Sequence, residues 1–187
     1  MIIHPLGIQI YESRISDQFY DYLTQEINKV DLKNKRYQNG NFVSGGDYTL
    51  LTPSNKQNFE SVIVKHCTEY TSLTGFALTD IWVNMMAHDE FFPLHTHAGI
   101  VSFVIYIKVP ELIPTEIHDK YIGVPYAEGS IQFQYGHKTE LYSPSLNFNP
   151  IEKMILMFPS ELQHYVYPFR NRNEKRISIS GNLARLK

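Results

Sequence analysis

The chain has 187 residues, enough for one domain with a real core, and its 43% apolar fraction excludes a disordered chain. A formal charge of −2 and a pI near 6.4 provide no basic field for nucleic acid, so a nucleic-acid partner is not expected. The single cysteine, Cys67, excludes an intramolecular disulfide framework and fits a reducing cytoplasm, and no apolar run reaches the roughly 18 residues of a membrane span.

The opening "MIIHPLGIQIYES" has no basic n-region and no cleavage site, so no signal peptide is expected. Thirteen tyrosines and 11 phenylalanines against one tryptophan favour strands, which implies a mainly β or α+β chain. Residues 6–13 alternate Ile8 and Ile10 with polar neighbours and predict a first strand. In 15–30, Phe19, Tyr22, Leu23, Ile27 and Val30 fall at helical spacing, with Ser16 or Asp17 as N-cap. Residues 33–48 are polar, with turn signals at Asn39-Gly40 and Gly45-Gly46. A second helix is expected from about Thr52, which would cap it with Pro53 in its first turn, and its stripe runs Phe59, Val62, Ile63, His66, Cys67, Tyr70.

From residue 79 onward the period changes to two. Strands are expected at 79–87, 99–109, 130–136, 139–148, 153–159, 163–169 and 175–183. The 99–109 segment is apolar on both faces and belongs at the centre of a sheet. Residues 110–129 hold three prolines and read as a long loop; with 33–48 it is long enough to act as a lid over a site. Two helices followed by about seven short strands suggest helices packed on one face of a β-sandwich or jelly roll.

The chemistry concentrates in histidines and one arginine. On a strand, His95 and His97 project to the same side about 7 Å apart at the backbone, close enough for both imidazoles to reach one metal ion. A facial iron site takes three protein ligands and leaves positions open, and His164, just past a strand ending in Pro159, is the candidate third. Imidazole equally suits zinc, copper and nickel. Arg176 and Ser178 share a strand face; a guanidinium inside a sandwich needs an anion, and its planar fork matches a carboxylate. A rim arginine paired with one of the acids is the plain alternative.

The order Trp82-x-Asn84, His95-x-His97, "SFVIYIKVP", "MILMFPSELQHYVYPF" and "RISISGN" resembles the 2-oxoglutarate and Fe(II)-dependent oxygenases. More closely it resembles an oxygenase branch common in marine bacteriophages, cyanophages among them, and prolyl-hydroxylase-like in character. The resemblance covers about residues 80–183. It implies a double-stranded β-helix, with the whole of 1–187 as one oxygenase-like domain: helical support at 14–74 and a jelly-roll core at 79–184. It also implies His95 and His164 as iron ligands, Arg176 on the far carboxylate of 2-oxoglutarate with Ser178 assisting, and Tyr106 as a further hydroxyl donor to that co-substrate. Asn84, on the face of Trp82, is a candidate to bond co-substrate or substrate; a structural strand asparagine is its alternative. Asn182 continues the Arg176 face and is a candidate to cap the pocket.

The departure from the family pattern is His97, which stands where an Asp or Glu is usual. Three neutral imidazoles leave an iron ion one unit more positive than two imidazoles and a carboxylate. His97 as an outer group, with water completing the ligand set, stays open.

The reading is an Fe(II)- and 2-oxoglutarate-dependent dioxygenase that takes O2 and hydroxylates a protein side chain, prolyl included, or a small molecule. Its location would be the cytoplasm, that of a bacterial host if the chain is phage-encoded. Two alternatives are a three-histidine dioxygenase of cupin type, with Arg176 on the substrate's own carboxylate, and a metal-stabilised jelly-roll binding module. The aromatic excess leaves a self-association face, as in a homodimer, open.

Overall fold

In the computed structural model, residues 2–3, 7–29, 48–50, 52–111, 128–136 and 144–186 are described. Their elements run β1 (Ile2–Ile3), β2 (Ile10–Arg14), α1 (Asp17–Asn28), β3 (Tyr48–Thr49), α2 (Lys56–Thr71), β4 (Phe76–Met86), β5 (Phe92–His95), β6 (Val101–Lys108), β7 (Ile131–Gln134), β8 (Ser145–Phe148), β9 (Met154–Pro159), β10 (Gln163–Val166) and β11 (Arg176–Arg185). No described helix is long and apolar enough to cross a membrane. Two antiparallel sheets result: a seven-stranded sheet ordered β1-β2-β9-β6-β11-β4-β3, and a four-stranded sheet ordered β5-β10-β7-β8.

The large sheet is covered on both faces, which is why its central strands read as continuous apolar runs. On β6, Val101, Phe103, Ile105 and Ile107 point to the helices, where they meet Phe19, Leu23, Phe59 and Ile63 in one core. Val104 and Tyr106 point the other way, into a second core shared with Ile131 and Phe133 of the small sheet. The expected jelly roll with helices on one sheet is the observed architecture, and the strand expected at the centre is fourth of seven.

Local chemistry sets the helix ends. Ser16 caps α1, its Oγ accepting from the Phe19 amide at 3.2 Å. Phe19, Leu23 and Ile27 are buried along one face. The second helix starts later than the sequence suggested, at Lys56, and Thr52 does not cap it. The Thr52 amide instead donates to Asn55 Oδ1 (2.8 Å), while Asn55 Nδ2 donates to Glu26 Oε2 (2.8 Å). Residues 52–55 therefore form a turn docked on α1 before the helix begins. Strand bounds also move: β2 begins at Ile10, β4 extends back to Phe76, and β10 ends at Val166. One strand, β5, was absent from the sequence reading. Two of its four residues are exposed, and Pro93 interrupts any strand signature. The lid segments 33–48 and 110–129 lie largely outside the described residues, and 139–143 of the strand expected at 139–148 lies wholly outside them.

Gly181 lies opposite Phe103 across the β11–β6 pair. A Cβ there would sit 2.6 Å from the Phe103 ring and 2.4 Å from the Asp80 carbonyl oxygen. Backbone cannot yield as a flexible side chain does, so Gly181→Ala is expected to lower stability by roughly 1–3 kcal/mol. An unchanged midpoint in denaturant unfolding would contradict this close packing.

Candidate metal and co-substrate site

A cavity of about 700 Å³ opens between the two sheets. Asn84, Tyr106, Arg176 and Ser178 line its wall on the large sheet, and His95 and His164 its wall on the small one, with His97 beside them. The seven residues expected as metal or co-substrate ligands are thus brought to one space, whereas Asn182 is not.

The histidines arrive by a different route from the one their spacing suggested. His95 ends β5, whereas His97 lies just past the strand. Strand alternation alone therefore does not align them. The His97 amide donates to the Ser160 carbonyl at 2.8 Å, and that bond turns the chain back toward the cavity. His164 lies directly opposite His95 in the β5–β10 register. One potential ligand atom from each of the three rings lies within 4.8 Å of those of the others.

The tautomers are set by backbone. His95 Nδ1 is 2.6 Å from the Pro93 carbonyl oxygen, and His164 Nδ1 is 2.9 Å from the Leu162 carbonyl oxygen. A carbonyl only accepts, so each Nδ1 carries a proton, and in the neutral ring Nε2 is the atom that presents a lone pair. This is the second contact by which a ligating imidazole is usually oriented. His97 Nε2 is 3.2 Å from His164 Nε2. Metal–imidazole bonds of about 2.1 Å place two nitrogens on one ion roughly 3.0–3.4 Å apart, so the spacing fits a shared cation.

Burial supports the same state. His164 sits among Phe158 and Phe133, with ring centroids 4.9 and 5.8 Å away, and burial, aided by nearby His95, pushes its pKa down to about 3. The same two causes bring His97 to about 4. Both rings are neutral at pH 7, as metal binding requires. No Asp or Glu joins this group among the described residues; Asp89 and Glu90 precede β5, where the Glu90 carboxylate accepts from the Ala87 amide at 2.7 Å.

At the other end Arg176 is buried at 3% exposure. Its Nη1 donates to the Gly129 carbonyl at 2.7 Å, and its Nη2 lies 2.9 Å from Met86 Sδ. Both partners are neutral, and no carboxylate among the described residues pairs with it. Burial lowers its pKa to about 10, so it remains a cation at neutral pH; burial raises that of Tyr106 to about 12, so the phenol stays protonated. A guanidinium without an anion in a dry wall is costly. An incoming carboxylate would remove that cost. Ser178 stands between Asn84 on β4 and Tyr106 on β6, on the same face.

Asn84 and Asn182 are more constrained than the sequence suggested. Asn84 Oδ1 accepts from Trp82 Nε1 (3.1 Å), and its Nδ2 donates to Ser180 Oγ (2.9 Å). Asn182 does not line the cavity: its Oδ1 accepts from Ser102 Oγ (2.8 Å), which also lies 2.9 Å from Ser160 Oγ. Sequence reasoning placed Ser102 on the Tyr106 face of the 99–109 strand but missed Ser160. Their buried trio with Asn182 pins residues 97–100, which the Ile100 amide further ties to the Leu183 carbonyl at 2.9 Å.

With fold and site in place, comparison defines the class. A family profile described as "Putative 2OG-Fe(II) oxygenase" matches residues 80–182. The chain belongs to that family of 2-oxoglutarate and Fe(II)-dependent oxygenases. A search of curated proteins returned no significant match. Solved structures share the fold. A Pseudomonas putida prolyl-4-hydroxylase is 13% identical with a TM-score of 0.62, over 95% of this chain and 93% of that one. The viral collagen prolyl hydroxylase of Paramecium Bursaria Chlorella virus-1, solved as its 2OG complex, is 13% identical at a TM-score of 0.60, over 95% and 96%. HygX from Streptomyces hygroscopicus, with nickel, 2-oxoglutarate and hygromycin B bound, is 9% identical at a TM-score of 0.64, over 96% and 83%.

Two outcomes follow from the site geometry. The two histidine pKa values lie below the unfolded value of about 6.5, so the unfolded chain binds more protons than the folded one at acidic pH. Stability of the chelator-treated protein is expected to be full above pH 6.5 and to fall steadily toward pH 4. A flat denaturation midpoint over that window in wild type would contradict the burial of these rings. Asn182→Ala is expected to weaken Co(II) binding, measured by absorption titration, with secondary structure retained by circular dichroism. Unchanged affinity would mean that the Ser102–Ser160–Asn182 trio does not position His97.

Proposed function

We propose that the protein is an Fe(II)- and 2-oxoglutarate-dependent dioxygenase that hydroxylates an organic acceptor, either a protein side chain such as prolyl or a small molecule. His95, His97 and His164 hold the metal; Arg176, Ser178, Tyr106 and Asn84 seat the co-substrate. The observation that carries this reading is the pairing, inside one cavity, of three converging imidazoles with a buried guanidinium that has no described counter-anion.

When bound, iron and 2-oxoglutarate would, with O2, supply the oxidation: one oxygen atom of O2 enters the C–H bond as an alcohol, and the other is taken up as the keto acid becomes succinate and carbon dioxide. The chain's own tasks are simpler. In the neutral rings the Pro93 and Leu162 carbonyls hold the proton on Nδ1, which leaves the His95 and His164 Nε2 atoms as the ligating lone pairs. Arg176 orients a carboxylate by its charge and planar fork. Tyr106, held as a phenol, and Ser178 are hydroxyl donors on the same wall. Phe158 and Val166 keep the neighbouring space apolar and limit water.

A second reading has one observation in its favour, the absence of a carboxylate among the three grouped ligands. In it, the chain is a three-histidine dioxygenase and Arg176 binds the substrate's own carboxylate.

Anaerobic addition of Fe(II), followed by titration with 2-oxoglutarate, distinguishes the two. Wild type is expected to develop the visible charge-transfer band of a chelated keto acid. His97→Ala should lose most of the band, and Arg176→Ala should raise the apparent 2-oxoglutarate Kd by roughly 10- to 100-fold. Iron retained without any band would overturn the first reading. Oxygen uptake on a carboxylate substrate alone would then favour the second, and its absence a metal-stabilised binding module.

A further inference from the structure

The large-sheet wall of the cavity follows a ladder of paired residues, of which Met86 and Asn182 themselves lie outside the lining. Arg176, Ser178, Ser180 and Asn182 on β11 stand opposite Met86, Asn84, Trp82 and Asp80 on β4. Successive rungs are about 7 Å apart, so the first and last are separated by about 20 Å along the strands. Charge is divided along this wall. Arg176 is buried at one end and Asp80 is exposed at the other. Among the described residues that line the cavity, these two are the only Asp, Glu, Lys or Arg side chains. The ladder therefore has an anion-binding end and an oppositely charged mouth.

Trp82 lies between them. Its indole is fixed by the chain from Nε1 to Asn84 and from Asn84 to Ser180, and its ring centroid is 5.5 Å from that of His97. It is half-buried and lines the cavity, so part of its surface stays open to a ligand. Asp80 shares its strand face, two residues away, and no described lysine or arginine forms an ion pair with it. An indole beside a carboxylate is a receptor for an organic cation: the ring's negative face and the carboxylate attract the same charge. Phe92 and Pro93 line the cavity from the small sheet and give such a ligand's carbon skeleton an apolar surface.

We propose that the acceptor enters at the Asp80–Trp82 end and carries a protonated amine or guanidinium, which these two residues hold beside the histidine cluster. This rests on the oxygenase reading above and extends it to the chemical class of the acceptor. Asp80 and Trp82 set specificity by charge, while Arg176 is occupied with the co-substrate at the far end.

The test uses the full chain loaded anaerobically with Fe(II) and 2-oxoglutarate, as wild type and as Asp80→Asn. The probes are spermidine and agmatine for free amines, and N-acetyl-lysinamide and N-acetyl-argininamide for side chains on a peptide. N-acetyl-norleucinamide and N-acetyl-citrullinamide are the uncharged counterparts. Binding is read by calorimetry and by perturbation of the visible band. At least one cation is expected to bind on the order of tenfold more tightly than the uncharged probes in wild type. That preference should vanish in Asp80→Asn, and which arm binds tells whether the source is a free amine or a peptide side chain. Equal binding of charged and uncharged probes, no binding of any cation, or a preference surviving in Asp80→Asn would overturn the proposal. Calorimetry reads charge preference with or without the band. A missing band therefore counts against the oxygenase reading, and a missing preference against this one.

Discussion

The arrangement depends on the two-residue alternation of β11, held between β4 and β6 in the middle of the large sheet. Ile177, Ile179 and Leu183 face the helices, while Arg176, Ser178 and Ser180 face the cavity. Both neighbours are hydrogen-bonded along nearly the whole strand, so register is fixed from two sides. A slip of one residue would put a guanidinium among the helices and an isoleucine in the cavity wall. Gly181 completes the pattern by letting the Phe103 ring close the helix-side core at the point where the polar face continues.

The small sheet contributes by burial. Phe133 of β7, together with Phe158 from β9 of the large sheet, surrounds His164 so closely that the protonated ring is disfavoured, and the same apolar lining continues to Val166. The cavity therefore sets the polar face of β11 on the large sheet against a small-sheet wall of Phe92, Ile131 and Val166 with His95 and His164 among them. A ligand that fills this space would displace its water and so strengthen the electrostatic contacts made within it.

How much of this the sequence disclosed follows the range of the interaction. The centrality of β6 was legible because a strand covered on both faces must be apolar throughout. The stripe of α1 was legible from its 3.6-residue period, and Ser16 from its capping chemistry. His164 stood out from its context, but its placement opposite His95 depends on β5, which Pro93 and two exposed residues hide. The start of α2 was misplaced because Asn55 is committed to Glu26 on another helix, a contact invisible in local propensity. Asn182 looked like a cavity residue by alternation, yet Ser102 holds it. Local periodicity thus gave the faces, and long-range pairing decided which side chains meet.

The grouping of histidines also has a bearing on cohesion. His97 and His164 are 67 residues apart in the chain, and His95 lies on the edge strand of a sheet whose strands are only four residues long. Short edge strands hold weakly by backbone pairing alone. An ion shared by these three rings closes that long loop and rivets β5 to β10 and to the segment after β5, so its binding free energy becomes part of the cohesion of the small sheet. The lip of the cavity would then be firm when metal is loaded and loose when it is not, tying the shape of the entrance to the state of the centre it serves.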